Sequence, residues 1–571
     1  MSVAGVNLPR HLDLIATAPD GIPKLRGLIL ELAVRGKLVP QDPNDEPASE
    51  LLKRIAKERV RLEAEGTGRK SRATPVVADE WPFDLPERWK WCRLPDVASY
   101  RMGKTPPTKD SAYWADNGIP WVSISDMIHG ERVLRTSRTV SDAARERIFR
   151  SSPAPAGTLL MSFKLTVGKV ATLGMDAFHN EAIISIFPFR GVSQEFLTHF
   201  LPMIAQGGNS KNALMGDTLN SESLALLAIP LPPLAEQHRI VAKVDELMAL
   251  YDRLEAEQVD AGAAHARLVA TLLGTLTQSA DAAELAANWQ RLAGHFDTLF
   301  TTESSLDALK QTILQLAVMG KLVPQDPNDE PASKLLKRIA QERARLEAEG
   351  PCRKLKPVLP VGDEEQAFSL PSGWKWSRFS AYAIDVSTGP FGSMLHQSDY
   401  VLGGIPLVNP SHMIGGRIVP EAHVAVAESK AIELSNYRLR DGDIVMARRG
   451  EVGRTAVVTR NEDGWLCGTG SFVIRLASEA PRRFIVMLFR AASVRRYLGD
   501  EAVGTTMVNL NHGILNNMPV AIPSVAEQHR IVAKVDELLA LVDRLKADLA
   551  ESRRRQERLA STLIDSALAA A

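Results

Sequence analysis

The chain has 571 residues, 45% hydrophobic and 24% charged, with 68 Lys+Arg against 68 Asp+Glu and a formal net charge of zero. That is roughly four domains' worth of ordinary globular composition, which excludes both a single compact unit and wholesale disorder. No apolar run reaches the ~18 residues of a spanning helix, the N-terminus lacks the order of a secretory signal, and Cys92, Cys352 and Cys467 are too far apart for a zinc pattern or a disulfide framework. A cytoplasmic protein with no membrane partner and no metal site is therefore expected.

Taken in order, the chain is written twice. Each copy opens on a helix with apolar residues at three- and four-residue steps, LRGLILELAVRG (25–36) and LKQTILQLAVMG (309–320), ending on a glycine suited to a left-handed cap. The loop VPQDPNDEP cannot continue a helix. The next helix has Pro47 or Pro331 near its start and Gly66 or Gly350 past its end. Blocks 36–66 and 320–350 agree at 28 of 31 positions, differing only at Glu50/Lys334, Lys57/Gln341 and Val60/Ala344. FDLPERWKWCRL (83–94) and FSLPSGWKWSRF (368–379) then open two lobes. Trp89, Trp91, Trp374 and Trp376 are read as packing on the lobe cores. Short β-branched runs, including GIPWVSISDMI (118–128) and GIPLVNPSHMI (404–414), predict a twisted, mainly antiparallel sheet in each lobe.

Each copy closes on AEQHRIVAKVDEL, at 235–247 and 526–538, opening a long helix. Ile240, Val244, Leu247, Tyr251 and Leu254, and likewise Ile531, Val535, Leu538, Val542 and Leu545, step by 4, 3, 4, 3, the spacing of a coiled-coil seam against another helix. The expected parts are a helical region 1–82, a lobe 83–234, a central helical region 235–367, a lobe 368–525 and a C-terminal long helix 526–571. Residues 1–24 and 279–308 have no counterpart in the duplication.

The neutral total hides a segregation. Segments 86–232 and 371–525 each carry 16 Lys+Arg against 13 Asp+Glu, so each is +3, and the helical remainder is −6. Arg132, Arg135, Arg138, Arg145 and Arg147 in one lobe, and Arg482, Arg483, Arg495 and Arg496 in the other, suit phosphate contact, because guanidinium groups bring positive charge and paired donors. GTLLMSFKLTVGKVATL (157–173) and GDIVMARRGEVGRTAVV (442–458) both read strand, polar turn, strand. Their frames match while their turns differ: Ser162, Lys164, Thr166 and Lys169 against Arg448, Arg449, Glu451 and Arg454. Such side chains can read base edges. Lys104, Thr105, Lys109, Ser123 and Ser125 in the first lobe, with His396, Gln397, Asn409 and Ser411 in the second, are further base-reading candidates.

Together these ordered, repeated motifs (LPERWKW and LPSGWKW, GIPxV, AEQHRIVAKVDEL and the GKLVPQDPNDEPAS block) resemble the specificity subunits of Type I restriction-modification systems. The resemblance covers the chain from about residue 25 to its end. It implies an α+β fold with two mixed or antiparallel-sheet target-recognition domains, joined by long antiparallel coiled-coil helices with pseudo-twofold internal duplication. It implies that each domain reads half of a bipartite, asymmetric site on double-stranded DNA. It also implies two docked adenine-methyltransferase subunits, with motor-nuclease restriction subunits joining them. The near-identical helical blocks independently suggest one partner bound twice. Gln237, His238, Arg239, Gln528, His529 and Arg530 are the docking candidates.

No catalytic motif survives inspection. MGKT at 102–105 has Ala98 where a phosphate loop needs glycine, VGKV at 167–170 lacks Ser or Thr, and VNPS at 408–411 fails the Asn-Pro-Pro-aromatic pattern. A non-catalytic chain binding no cofactor is expected, with AdoMet in the methyltransferase partners and ATP and magnesium in the restriction subunits. The alternative is a protein-interaction scaffold whose lobes bind no DNA and whose helices serve oligomerisation.

Overall fold

The computed structural model describes residues 8–64, 75–77, 83–164, 166–207, 221–350, 359–391, 393–450, 453–501 and 510–569. Two compact units emerge, one of residues 1–259 with 552–571 and one of residues 260–551. Among the described residues, no helix is long and apolar enough to cross a membrane.

In the first unit, helix Gly21–Val34 buries Leu25, Leu28, Ile29 and Leu32, and it stops because the chain turns left-handed at Gly36, φ +68. Lys37 N donates back to Leu32 O at 2.8 Å, closing the cap. A Cβ on Gly36 would lie 2.5 Å from Pro86 Cγ, so the glycine also admits the LPxxW segment. The second unit repeats this after helix Glu303–Val318: Gly320 has φ +69, and its Cβ would lie 2.6 Å from Pro371 Cγ. Helices Ala48–Ala64 and Ala332–Glu349 follow the prolines as expected. The latter ends at left-handed Gly350, whereas Gly66 lies outside the described residues. The stretches without counterparts are short helices: Leu8–Ala16 in the first unit, and Ala282–Ala293 and Phe296–Leu299 in the second.

Each lobe is closed at its base by an antiparallel strand pair, Lys90–Arg93 with Ala228–Leu231 and Lys375–Arg378 with Pro519–Ile522. The first lobe holds a five-stranded sheet in the order 98–102, 183–188, 159–162, 170–173, 132–133. A three-stranded sheet of 138–140, 114–122 and 178–179 accompanies it. The second lobe holds two four-stranded sheets, 383–388, 471–476, 444–447, 455–457 and 400–401, 425–426, 405–408, 466–467. Three of these sheets are mixed, because 132–133 pairs parallel to 172–173, 121–122 to 178–179 and 407–408 to 466–467, whereas the sheet of 383–388, 471–476, 444–447 and 455–457 is antiparallel throughout.

The central strands read as unbroken apolar runs because both of their faces are covered. Leu159 and Met161 point into the core shared with the scaffold helices, while Leu160 points into a second core with Val122, Ala171 and Ile183. Ile444 and Met446 against Val445 repeat the alternation in the second lobe.

The long helices are Leu234–Gln278 and Val525–Ala569, 45 residues each. Ile240, Val244 and Tyr251 are buried with Leu247 and Leu254 packed beside them. Ile531, Val535 and Val542 are buried with Leu538 and Leu545 beside them. The seam is not simply one long helix against the other. In the first unit Arg26, on helix Gly21–Val34, bonds Asp252 at 2.6 Å and Glu255 at 2.8 Å, while Lys24 on the same helix bonds Ser561 at 3.1 Å. In the second unit Lys310 pairs with Asp543, and Lys546 bonds Asp307 at 2.8 Å. The short helix Gly21–Val34 is therefore wedged into the seam of the first unit, and its counterpart Glu303–Val318 is pinned to Val525–Ala569 in the second.

Candidate nucleic-acid interface

Four loops of the first lobe are bonded into one tip. Gly103 N donates to Ile183 O (3.1 Å), Lys104 N to His179 O (2.9 Å), Asn180 N to Val122 O (3.0 Å) and Phe163 N to Ala182 O (2.9 Å). Lys169 Nζ crosses from the hairpin to Ile124 O at 3.2 Å. His179 is buried within this knot, its Nε2 2.5 Å from Ser185 Oγ. Burial pushes its imidazole down to about 4, so it braces the tip as a neutral ring. A Cβ on Gly103 would lie 2.0 Å from Asn180 O, so only glycine allows the two loops to meet.

The second lobe repeats the frame with other side chains. Gly389 N donates to Ser471 O (3.0 Å), Gly468 N to Val408 O (3.0 Å) and Arg448 N to Gly470 O (3.0 Å). Arg454 reaches Pro410 O at 3.4 Å, as Lys169 reaches Ile124 O. A Cβ on Gly389 would lie 2.0 Å from Gly468 O. Hairpin register is shared: Met161 faces Val170, and Met446 faces Thr455. On this frame Ser162 stands where Ala447 does, Phe163 where Arg448 does and Lys164 where Arg449 does. Burial, then the neighbouring Arg449, lowers Arg448 from the ordinary guanidinium value, and its Cζ lies 5.4 Å over the Phe472 ring.

Where each lobe meets its long helix, a polar latch recurs. Glu236 accepts from Trp89 Nε1 (3.0 Å) and Gln41 Nε2 (2.6 Å), and Arg239 holds Asp45 at 2.6 Å. Glu527 accepts from Trp374 Nε1 (2.9 Å) and Gln325 Nε2 (2.8 Å), and Arg530 holds Asp329 at 2.7 Å. Burial raises both glutamates above the ordinary carboxylate range, against the pull of those donors. Gln237 accepts from Ser193 N (2.8 Å) and donates to Pro232 O (3.0 Å); Gln528 accepts from Tyr382 Oη (2.7 Å) and donates to Pro523 O (3.1 Å). Both glutamines are fully buried, which corrects their reading as docking residues. Arg239 and Arg530 are bound into the latch, and only His238 and His529 of the six candidates are exposed.

The family "Type I restriction modification DNA specificity domain" matches this chain twice, at residues 86–260 and 397–551, which takes in the first tip and all of the second except Gly389. The chain belongs to the Type I restriction-modification specificity subunits. The EcoEI specificity subunit of Escherichia coli is 36% identical, over 99% of this chain and 96% of its own length. The EcoAI specificity subunit of the same organism is 35% identical, over 99% and 96%. A solved chain from a type I R-M system is 20% identical over 85% of this chain and 99% of its own, with a TM-score of 0.47. Membership of the family makes the chain a DNA-sequence-specificity component.

Several side chains read from the sequence as base or phosphate contacts are committed inside the specificity subunit. Ser162 is fully buried, accepting from Lys169 N at 3.1 Å and bonding Thr166 O, so it shapes the hairpin and is removed from the readers. Ser123 caps the turn Ile124–Asp126 through Asp126 Oδ2 at 2.7 Å and touches Ser125 Oγ at 2.7 Å. Asn409 stands at the matching cap position, its Oδ1 buried without a partner among the described residues. Lys104 Nζ is spent on Ile148 O (2.7 Å), Arg138 stacks 3.4 Å over Trp114, Arg482 bonds Ser478 O (2.8 Å), and Arg483 pairs with Asp536 (2.7 Å). Lys109, Ser125, Thr166, His396, Gln397, Ser411 and Arg449 are exposed, as are Arg132, Arg135, Arg145, Arg147, Arg495 and Arg496. Thr105 and Lys164 are half-buried, and Glu451 lies outside the described residues. Among the described residues, no hydrogen bond joins His396 or Gln397 to the second tip. The sequence reading missed the latch, although Glu236 and Glu527 stood in its most repeated block, and it missed the two glycines, whose equivalent places in both halves were the available signal.

Proposed function

We infer that each lobe of this chain reads one half of a bipartite, asymmetric DNA site through its tip. The observation that carries this is one hydrogen-bonded frame holding unlike side chains at equivalent places: half-buried Lys164 against exposed Arg449, beside a Phe163 that is packed into the core where Arg448 is half-buried. A shared frame with a changed tip serves two half-sites better than one. The chain performs no chemistry and binds no cofactor: two adenine-methyltransferase subunits supply AdoMet-dependent methylation, and restriction subunits supply ATP, magnesium and cleavage. The near-identical helices Ala48–Ala64 and Ala332–Glu349 favour one partner docked twice, because both bury the same pair (Leu51, Ile55 and Leu335, Ile339) and expose the same lysine (Lys53 and Lys337). Their three differing positions are all exposed.

The test is Arg449→Ala in the assembled methyltransferase, with modified adenines mapped on a randomised-site library. Discrimination should relax in one half-site only, by about 1–3 kcal/mol at the affected base pair. An unchanged methylation pattern, or equal loss in both half-sites, would refute the assignment.

A further inference from the structure

In the first lobe the chain makes a wide turn at Arg145–Phe149, closed by Arg150 N donating to Arg145 O at 2.8 Å. Arg150 then adopts the left-handed conformation, φ 54 and ψ 34, which a residue with a Cβ enters only when its surroundings force it. The surroundings do so from the tip side. Lys104 Nζ bonds Ile148 O (2.7 Å), and Phe149 stacks on Phe178 with ring centroids 3.9 Å apart and planes 15° apart. Phe178 directly precedes His179 of the tip. The strained turn is therefore built onto the reading surface.

Beside it lies an open cavity of about 440 Å³ bordered by Arg145, Glu146, Arg150, Ser151, Ser152 and Pro153. Two guanidinium groups face it against one carboxylate. Arg145 forms only a loose ion pair with Asp142, at 3.7 Å and without a hydrogen bond, and Arg150 spends its Nε on Arg147 O at 3.2 Å. Among the described residues, no hydrogen bond engages the side chain of Ser151 or Ser152. With Arg147 counted, segment 142–150 holds three arginines against Asp142 and Glu146, so the pocket sits in a net positive turn and offers guanidinium donors and hydroxyls to an anion with several acceptor oxygens. The matching segment of the second lobe has no such surplus: Lys430 bonds Glu433 (3.0 Å) and Arg438 bonds Glu428 (2.8 Å), so its cations are matched by acids.

We propose that the pocket of Arg145, Arg150, Ser151 and Ser152 is a backbone-phosphate clamp for DNA, present in the first lobe alone. This rests on the reading of the first tip as a DNA-binding surface. The clamp carries no base information, anchors only one half-site, and makes phosphate anchoring unequal between the lobes.

The test compares the full chain in its methyltransferase complex with Arg145→Ala/Arg150→Ala, measuring affinity for cognate duplex across a salt series. Arg150→Gly is made in parallel, because glycine keeps the left-handed backbone while removing the guanidinium. The double variant should show a log K against log [salt] slope shallower by about 1–2, at ~0.9 for each phosphate no longer neutralised, with base preference intact. Arg150→Gly should show about half of that change. Inorganic phosphate at matched ionic strength should not displace duplex from the unaltered complex. A wild-type slope near zero would overturn the DNA-binding reading itself. A steep wild-type slope unchanged in both variants would overturn the clamp alone. So would altered base preference, or displacement by inorganic phosphate that the double variant abolishes.

Discussion

Two tryptophans one residue apart separate hydrogen bonding from packing. Trp89 is buried and its indole N–H donates to Glu236 at 3.0 Å; Trp91 packs on Phe83 at 5.1 Å, and its buried indole N–H has no partner among the described residues. Trp89→Phe removes apolar surface worth about 1–2 kcal/mol and a hydrogen bond to a carboxylate worth about 1.5–3 kcal/mol. Trp91→Phe removes a similar but less buried surface, and also removes an unmet donor whose burial costs about 1–3 kcal/mol, so its net effect should fall within about 1 kcal/mol of zero. The expected gap of about 2.5–5 kcal/mol corresponds to roughly 5–15 °C in Tm for a unit of this size. Circular dichroism melts of both variants measure it. The second copy is an internal replicate, because Trp374 bonds Glu527 at 2.9 Å while the Trp376 donor is unmet. Equal losses at Trp89 and Trp91 would refute the latch as a source of stability.

The latch glutamates also carry a pH signature. Their folded pKa values are raised by burial, so between the ordinary carboxylate value, about 4.3, and the raised value the folded chain holds more protons than the unfolded one, and stability falls as pH rises through that window. Glu236→Gln/Glu527→Gln should flatten that fall in urea-unfolding midpoints measured from about pH 4 upward; a parallel pH curve would contradict it. Gly103→Ala and Gly389→Ala should each cost about 1–3 kcal/mol or more and abolish duplex binding, since the added methyl meets backbone oxygen at 2.0 Å. Gly262→Ala, in open space on the first long helix, should instead stabilise by about 0.5–1 kcal/mol in the same melts. Cys92 and Cys467 are buried, and burial raises both thiols, Cys467 to about 12. Alkylation followed by peptide mass spectrometry should find both unlabelled at pH 8 until denaturant is added.

What could be read before any coordinates was whatever repeats or has a period. The duplicated helices, the glycine caps at Gly36 and Gly320 and the strand runs all announce themselves locally, because caps and apolar periodicity are short-range effects. Side-chain commitments were not legible, because they depend on what arrives from elsewhere in the chain. Ser162 and Lys104 look like reading residues until the hairpin closes and the 145–149 turn comes into reach. The block AEQHR misled for the same reason. Its identity in both halves suggested a partner, yet Gln237 and Gln528 are held by their own lobes, so the repetition reflects an internal joint used twice.

The first unit is completed by residues 552–569, which are synthesised about 290 residues after Val259. Ala560, Ile564 and Ala567 sit in its core beside Leu25 and Tyr251. A ribosome that has released only the first half of this polypeptide has released an unfinished fold, with an apolar furrow waiting on a tail not yet made. Truncation at 551 should thus injure the region farthest from the cut in sequence, and joining the tail ahead of residue 8 by circular permutation would let the front half mature on its own.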